Sequence, residues 1–226
     1  MTQSRACTIV FAKAPITGAV KRRLIPAIGA EAACRLHELM VEHGVAKVVK
    51  AGLGDVQLWC APDTQHPLFH ALQQRYSISL HKQTGNDLGE RMHHAFDAAL
   101  RDYRQVLIVG TDCPFLNTKL MAEAINALAH ADSAVITPAH DGGYVLLGLS
   151  RNERHLFDDM EWGTAQVCQE TLSRLDKYHY QCKVTNTIHD IDRYEDLLYL
   201  KTAAKEAGLN GKTTAFLDQV LQSAGQ

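Results

Sequence analysis

The chain has 226 residues, of which 46% are hydrophobic and 21% are charged, with a formal net charge of -2. This composition is typical of a globular protein with one sizeable core, and we predict a single domain over residues 1–226. Because acidic and basic residues nearly balance, we expect neither nucleic acid nor a membrane as a partner.

Short aliphatic or β-branched segments alternate with longer segments of helical periodicity along the chain. In chain order, the predicted strands are CTIVFA (7–12), DVQLWCA (55–61), SISLHK (77–82), QVLIVG (105–110), SAVITP (133–138) and GGYVLLGL (142–149). The predicted helices lie within residues 29–49, 66–76, 87–103, 117–130, 164–175, 192–208 and 214–225. Asp87 and Asn117 are predicted helix N-caps, and Gly208 is a predicted helix end.

The segment QVLIVG is continuously apolar, as expected of a strand that is covered on both faces. Together with the alternation of strands and helices, this pattern predicts an α/β fold, a three-layer α/β/α sandwich with a mainly parallel sheet. Ligands of such sheets bind beyond the carboxyl ends of the strands. Residues that follow a predicted strand are therefore the first candidates for a site.

No apolar segment approaches the roughly 20 residues that span a bilayer, and the N-terminal sequence MTQSRACTIV lacks the pattern of a secretory signal. We therefore expect a cytoplasmic protein. The six cysteines are scattered, without the close pairs typical of zinc sites. We expect them to be reduced thiols that are mostly buried.

The first predicted strand leads into a basic loop, FAKAPITGAVKRR (11–23), which carries Lys13, Lys21, Arg22 and Arg23. Lysine and arginine side chains on a loop that a proline and a glycine can bend are suited to binding phosphate oxygens. A solvated basic loop without a ligand explains this stretch alone almost as well.

Thr111 and Asp112 follow directly after QVLIVG. A carboxylate at this position is a natural ligand for Mg²⁺, which prefers one or two carboxylates together with substrate phosphates and water. Alternatively, Asp112 caps the following helix. The adjacent Cys113 has no identifiable base beside it, which favours a buried thiol over a nucleophile.

Two further segments place carboxylates near predicted strand or helix starts. In HDGGYVLLG (140–148), Asp141 precedes two glycines that allow a close backbone approach to a ligand, although a plain turn explains the pattern almost as well. In DIDRYEDL, Asp190 and Asp192 are two residues apart, which puts both carboxylates on one side of an extended segment. Alternatively, Asp192 is a helix N-cap, with Glu195 completing a capping box.

The segments FAKAPITGAVKRRL, GNDLGERM, GTDCP, DGGYVLLG, WGTAQV and DIDRYEDL occur in the order seen in a family of small glycosyltransferase-like proteins. This family is part of the nucleotide-diphospho-sugar transferase superfamily, and some of its members are assigned to arsenosugar biosynthesis. The chain resembles it over residues 6–200. It is also similar to 2-phospho-lactate guanylyltransferase and to the guanylyl and cytidylyl transferases of molybdenum cofactor maturation. The resemblance implies a GT-A type fold.

The resemblance also implies which residues form the site. Nucleotide-binding residues would be Lys13, Lys21, Arg23, Gly85, Asn86, Asp87, Arg91 and Thr111. Acceptor-binding residues would be Asp141, Gly142, Gly143, Tyr144, Trp162, Gly163 and Thr164. Asp112 and Asp192 would hold Mg²⁺ or Mn²⁺ and, with Lys21, would form the catalytic set.

Three positions depart from the pattern of the relatives. His140 stands where a glutamate is frequent, Arg193-Tyr194 where Thr-Pro is frequent, and Ala165 where a proline is common. These departures leave the phosphate and metal positions intact but put the identity of the acceptor in doubt.

We predict a Mg²⁺-dependent transferase that acts on a nucleotide-activated substrate. The number of cations favours nucleotidyl transfer from a nucleoside triphosphate to a small phosphorylated or hydroxylated acceptor, because a leaving pyrophosphate is highly charged. The family resemblance favours the alternative, a glycosyltransferase with a nucleotide-sugar donor, and a non-catalytic nucleotide-binding protein is a third reading. The base, the acceptor, a homodimeric state through the last helix, and the roles of Asp190 and His140 stay open.

Overall fold

The computed structural model describes residues 6–224 as an α/β fold around one seven-stranded sheet. The strands are β1 (Ala6–Lys13), β2 (Asp55–Ala61), β3 (Ser79–Lys82), β4 (Gln105–Gly110), β5 (Ser133–Pro138), β6 (Tyr144–Leu149) and β7 (Gln181–Val184). Their order is β3-β2-β1-β4-β6-β5-β7. Only β6 runs antiparallel to its neighbours among the described strands, which confirms the predicted mainly parallel sheet.

Helices cover both faces of this sheet, which confirms the three-layer architecture. They are α1 (Ile25–Ile28), α2 (Ala30–Ala51), α3 (Pro67–Tyr76), α4 (Leu88–Ala99), α5 (Thr118–Ala127), α6 (Val167–Lys177), α7 (Tyr194–Thr202) and α8 (Gly211–Ala224). A short 3₁₀ helix spans Arg154–Leu156. One face packs against α2, α3, α5, α7 and α8, and the other against α4 and α6.

Alternation along the central strands explains why both faces are apolar. In β4, Leu107 and Val109 point into the core under α2, whereas Val106 and Ile108 point into the core under α4. All four side chains are buried. Because successive side chains of a strand face opposite sides, a strand between two helical layers must be apolar at every position.

The predicted caps at Asp87 and Asn117 are confirmed: each side chain accepts a hydrogen bond from the backbone N–H three residues further along. The structure adds β7, a short and mostly exposed strand that is not among the predicted strands. It also ends α7 at Thr202, so the predicted helix end at Gly208 lies six residues further along, after a series of turns.

The prediction that the chain has no secretory signal rests partly on residues 1–5, which lie outside the described residues. Gly225, at the end of the last predicted helix, lies outside them as well. Within residues 6–224, no helix combines the length and apolarity that crossing a bilayer requires. Helix α8 packs against α1, α2 and α7 of its own chain. The cysteines are free thiols, and most of them are buried, as predicted.

Ile191 attaches the segment before α7 to the end of β4. Its side chain is 0% exposed, its N–H donates to the carbonyl of Asp112 at 2.9 Å, and its carbonyl accepts a hydrogen bond from Lys21 Nζ. Close by, Cys113 Sγ donates to the carbonyl of His189 at 3.1 Å. The basic loop, the loop after β4 and residues 189–192 are therefore held together.

Truncating the side chain of Ile191, which anchors the segment before α7 to the end of β4, should destabilise the protein. We expect Ile191→Ala to lower the free energy of unfolding by about 2–5 kcal/mol, the range for removing a buried aliphatic side chain. Leu198→Ala on α7 is the control, because Leu198 is 46% exposed and its truncation should cost about 0.5 kcal/mol or less. Urea unfolding measures both values, and equal losses in the two variants would contradict the anchoring role.

Candidate functional site

A cavity of about 500 Å³ opens at the edge of the sheet where β1 and β4 end. Because β6 runs antiparallel to β4, its first residues start at the same edge. The charged side chains that line the cavity are Lys13, Lys21, Arg22, Arg23, Asp112, Asp141, Asp190 and Asp192. Segments that are far apart in the sequence thus meet in one cavity, as ligand sites of parallel sheets do.

Lys21 is the buried cation of this cavity. Its side chain is 2% exposed, and its Nζ lies 2.9 Å from Asp112 Oδ1. The same Nζ donates to the carbonyl of Ile191. The backbone of Lys21 has a φ of 48°, a left-handed conformation that is uncommon for residues other than glycine. Lys21 therefore sits at a sharp turn that points its side chain inward.

Asp112 presents one enclosed and one accessible carboxylate oxygen. Oδ1 is enclosed beside Lys21, whereas the side chain as a whole is 51% exposed, so the other oxygen faces the cavity. Burial alone raises the pKa of Asp112, but Lys21, followed by His37, holds it below its ordinary value. Helix α5 begins at the N-cap Asn117, so the alternative that Asp112 caps a helix is wrong.

His37 lies beside the same carboxylate on α2. Its Nδ1 lies 3.9 Å from Asp112 Oδ1, and its Nε2 lies 3.0 Å from the carbonyl of Lys13, to which Nε2–H donates. Burial lowers the pKa of His37, whereas the nearby Asp112 raises it. The hydrogen bond to Lys13 therefore ties α2 to the end of β1 next to Asp112.

Asp192 forms an ion pair with Arg23 across the mouth of the cavity. The N-cap of α7 is Arg193, and the carboxylate of Asp196 accepts hydrogen bonds from the N–H groups of Asp192 and Arg193 at 2.9 and 2.6 Å. The alternative that Asp192 caps the helix with help from Glu195 is therefore wrong. The side chain of Asp192 is left to face the cavity.

Asp141 and Asp190 form the acidic part of the cavity. Burial, followed by the charge of Asp141, raises the pKa of Asp190 to about 6. Asp141 Oδ1 accepts a hydrogen bond from the N–H of Gly143 at 2.8 Å. Within residues 6–224, neither carboxylate has an ion-pair partner.

Lys13 and Arg22 are the complementary unpaired cations. Both line the cavity, and no carboxylate of the described residues forms an ion pair with either one. Lys21 and Arg23, in contrast, are each paired with an aspartate. Lys13 and Arg22 are therefore the lysine and arginine most available to an anion that enters the cavity.

A second cavity of about 450 Å³ continues from the first, with Lys13, Ala19, Val20 and Gln83 lining both. Besides Lys13, two more of the predicted nucleotide-binding residues, Gly85 and Arg91, line this second cavity. Arg91 Nε donates to the carbonyl of Gly85 at 3.0 Å. The adjoining cavities form one elongated space of sufficient volume for a ligand with two distinct parts.

The remaining predicted nucleotide-binding residues have other positions. Asp87 caps α4, and the N–H of Asn86 donates to Glu90 Oε2 at 2.8 Å, so both shape the start of that helix without lining either cavity. Thr111 is buried and lines the first cavity.

The predicted acceptor residues divide into two groups. Asp141, Gly143 and Tyr144 line the first cavity, whereas Trp162, Gly163 and Thr164 line neither cavity. Trp162 packs against α4, where a Cβ on Gly89 would lie 2.7 Å from the indole ring.

Gly142 explains how the two groups are related. It has a φ of 89°, and a Cβ at this position would lie 2.2 Å from the carbonyl oxygen of Ala165. Its own carbonyl accepts a hydrogen bond from the N–H of Cys168 at 2.9 Å. The segment that contains Trp162 therefore supports the turn before β6 from outside the cavity, and a direct acceptor contact by that segment stays a prediction.

The first cavity is also lined by residues that the family resemblance did not place in the site, among them Arg22, His37, Gln83 and Asp190. Arg22 and Asp190 lie within motifs that the sequence shows. His37 lies in the middle of α2, and no motif surrounds it. Gln83 follows β3, and its Nε2 donates to the carbonyls of Trp59 and Ala12 at 2.8 and 3.3 Å. A position after a strand is the one sequence signal that could have found Gln83.

Comparison with known proteins places the chain in a family. The model of the family described as "Uncharacterized protein conserved in bacteria (DUF2064)" matches residues 44–164, more than half of the chain. This match contains Asp112 and the turn before β6 but not the basic loop or residues 190–192. A search of curated proteins found no match.

Among solved structures, the chain is similar to a protein from Desulfovibrio desulfuricans G20 that is provisionally named a nucleotide-diphospho-sugar transferase. The two share 28% identity over 97% of each chain, with a TM-score of 0.85. A nucleotidyl transferase from Methanothermobacter shares 14% identity over 91% of this chain and 99% of its own, with a TM-score of 0.61.

A 4-diphosphocytidyl-2C-methyl-D-erythritol synthase from Anaerococcus prevotii also shares 14% identity, over 90% and 97% of the two chains, with a TM-score of 0.56. At such low identity, this similarity and that to the Methanothermobacter protein show the fold alone. The fold is that of the nucleotide-diphospho-sugar transferases, as predicted.

The acidic part of the cavity should make stability depend on pH. The pKa of Asp190 is raised from 3.8 to about 6 on folding, so ionising this group costs stability as the pH rises through that interval. We expect Asp190→Asn to stabilise the metal-free protein by about 1 kcal/mol at pH 7.5 after allowance for solvent screening. The gain should vanish below about pH 3, where Asp190 is protonated in both the folded and the unfolded protein. Urea unfolding at the two pH values measures it, and a gain that is equal at both would contradict the raised pKa.

Proposed function

The chain belongs to the DUF2064 family, and we propose that it is a Mg²⁺-dependent transferase that acts on a nucleotide-activated substrate. The observation that carries this proposal is the convergence of the basic loop with Asp112 and Asp192 in one cavity. The similar structure from Desulfovibrio supports it through its name and its 28% identity. We infer that the chain acts as the single domain predicted, because one sheet carries both apolar cores.

The donor set of the cavity fits a hard divalent cation that binds together with phosphates. No group of three or more histidine, cysteine or acidic side chains within residues 6–224 could hold a metal by itself. Mg²⁺ does not need such a group, because it retains water and takes one or two carboxylates plus substrate oxygens. The accessible oxygen of Asp112 and the carboxylate of Asp192 supply those ligands. When bound, Mg²⁺ or Mn²⁺ would neutralise phosphate charge and polarise the reacting phosphorus.

The residues of the chain then have separate roles. Lys13 and Arg22 bind phosphate oxygens, because they are the unpaired cations of the cavity. Lys21 holds the Asp112 carboxylate in place and adds positive charge behind it. The second cavity, with Gly85 and Arg91, takes the nucleoside part of the substrate. These fixed charges stabilise the negative charge that develops on the leaving group.

The acidic part of the cavity favours a hydroxylated acceptor over a phosphorylated one. Asp141 and Asp190 would repel an acceptor phosphate but can accept hydrogen bonds from hydroxyl groups. In nucleotidyl transfer, the acceptor oxygen bonds to the α-phosphorus of a nucleoside triphosphate. The bond from that phosphorus to the oxygen it shares with the β-phosphate breaks, pyrophosphate leaves, and the proton of the acceptor hydroxyl passes to solvent.

Glycosyl transfer from a nucleotide-sugar is the second candidate, and one observation favours it. Lys21 and Arg23 are already paired with aspartates, which leaves fewer unpaired cations than the basic loop suggests from sequence. Lys13 and Arg22 suit a diphosphate as well as a triphosphate. In this reaction, the acceptor oxygen attacks the anomeric carbon and a nucleoside diphosphate leaves.

Ligand-induced stabilisation and product analysis distinguish the two reactions. With Mg²⁺ present, the correct donor at about 100 times its Kd should raise Tm by about 5–10 °C. Release of pyrophosphate from one nucleoside triphosphate would support nucleotidyl transfer, and release of a nucleoside diphosphate from a nucleotide-sugar would support glycosyl transfer. If no nucleotide or nucleotide-sugar shifts Tm, the proposed function is wrong.

Replacing either proposed metal ligand by asparagine should lower turnover, but the two replacements should differ in their effect on stability. Asp192→Asn should lower turnover about 100- to 1,000-fold, because a metal ligand contributes several kcal/mol of charge stabilisation. Its effect on stability should be small, because its partner Arg23 is 58% exposed. Asp112→Asn should lower turnover similarly and also destabilise the fold by about 1–3 kcal/mol, because Lys21 is left buried without its carboxylate.

Steady-state kinetics and urea unfolding of the two variants measure these effects, with Asp218→Asn on α8 as the control for loss of an exposed carboxylate. Normal turnover in Asp192→Asn would remove Asp192 from the catalytic set.

A further inference from the structure

The two carboxylates assigned to the metal are each held by a cationic side chain, but the two cations differ in burial. Lys21, on Asp112, is 2% exposed, whereas Arg23, on Asp192, is 58% exposed. A buried cation and an exposed cation respond differently when a competing cation arrives. The difference separates the roles of the two cations.

Lys21 is fixed in place. Its ammonium contacts Asp112 Oδ1 and donates to the carbonyl of Ile191, a residue that is itself buried. Moving the ammonium away would leave a buried carbonyl and an enclosed carboxylate oxygen without a partner. The accessible oxygen of Asp112 can bind a metal without any such movement.

Arg23, in contrast, is free to move. Within residues 6–224, its only ion-pair partner is Asp192, and no helix or strand includes it. Asp141 and Asp190 line the same cavity as this ion pair. A long, exposed side chain can exchange one anionic partner for another at little cost.

We propose that Arg23 is the exchangeable counter-cation of the metal site. In the ligand-free protein it neutralises Asp192; the divalent cation that arrives with the nucleotide displaces it, and the guanidinium then pairs with a phosphate oxygen of the substrate. This inference rests on the proposed function. It gives Arg23 a positioning role that couples two ligands.

The exchange makes the binding of metal and nucleotide positively cooperative. A metal ion alone must compete with Arg23 for Asp192, and a nucleotide alone must compete with Asp192 for Arg23. When both arrive, each charged group has a partner. Coupling of this kind is reciprocal, because each ligand raises the affinity of the other by the same factor.

The exchange is tested by measuring the affinity of the full chain for Mn²⁺ alone. Electron paramagnetic resonance gives this affinity from the signal of the free ion. Arg23→Gln removes the competing cation, so it should bind Mn²⁺ more tightly than the wild type. Arg22→Gln is the matched control, because Arg22 is the adjacent arginine, is also exposed, lines the same cavity and has no carboxylate partner within residues 6–224. Both variants lose one positive charge, so the long-range effect of net charge on Mn²⁺ affinity is the same in both.

We expect Arg23→Gln to tighten Mn²⁺ binding about two- to fivefold more than Arg22→Gln, the effect of removing one exposed ion pair. Equal affinities in the two variants would overturn the exchange and leave the metal site standing. Failure of the wild type and of both variants to bind Mn²⁺ would overturn the metal assignment of the proposed function, and the exchange with it.

Discussion

The buried ammonium of Lys21 is the interaction on which the site depends. It contacts the carboxylate of Asp112 and the carbonyl of Ile191 at the same time, while the N–H of Ile191 donates to the carbonyl of Asp112. Three segments that are distant in the sequence are thereby joined at the end of β4. An ammonium that is removed from water needs such partners, because an unpaired buried charge is costly. The requirement fixes the positions of Asp190 and Asp192, which flank Ile191.

The charges of the cavity are arranged unevenly as a consequence. Lys21 and His37 lie beside Asp112, with the unpaired Lys13 in the same cavity. Arg23 pairs with Asp192, and Asp141 and Asp190 have no ion-pair partner among residues 6–224. One part of the cavity therefore attracts anions and the other attracts cations or hydroxyl groups. A substrate with a phosphate chain at one end and an acceptor hydroxyl at the other matches this layout. This match makes a transferase a better explanation of the cavity than a simple anion-binding protein.

Much of the fold could be predicted from the sequence, because local signals and tertiary structure agree. The bounds of β2, β4 and β5 follow the apolar segments, and Asp87 and Asn117 cap their helices as their positions indicate. The short strand β7 is missing from the prediction although Cys182 and Val184 alternate with Gln181 and Lys183, because it has only four residues and most of them are exposed. Its place in the sheet comes from parallel pairing with β5.

The sequence predicted which residues form the candidate site better than it predicted which of them pair with each other. Position after a strand identified Lys13 and Asp112, but a count of cations does not show that Lys21 and Arg23 already have carboxylate partners. These pairings join side chains that are more than 90 positions apart in the chain. In the same way, a motif cannot show that Trp162 lies outside the cavity and supports Gly142 through the backbone of Ala165.

Anomalous diffraction from crystals grown with Mn²⁺ and a non-hydrolysable nucleoside triphosphate tests the central claim most directly. The site described above predicts one strong manganese peak in the first cavity, within bonding distance of Asp112, Asp192 and phosphate oxygens, with Lys13 on the phosphate chain. A manganese peak elsewhere, or a nucleotide bound outside the two joined cavities, would contradict it.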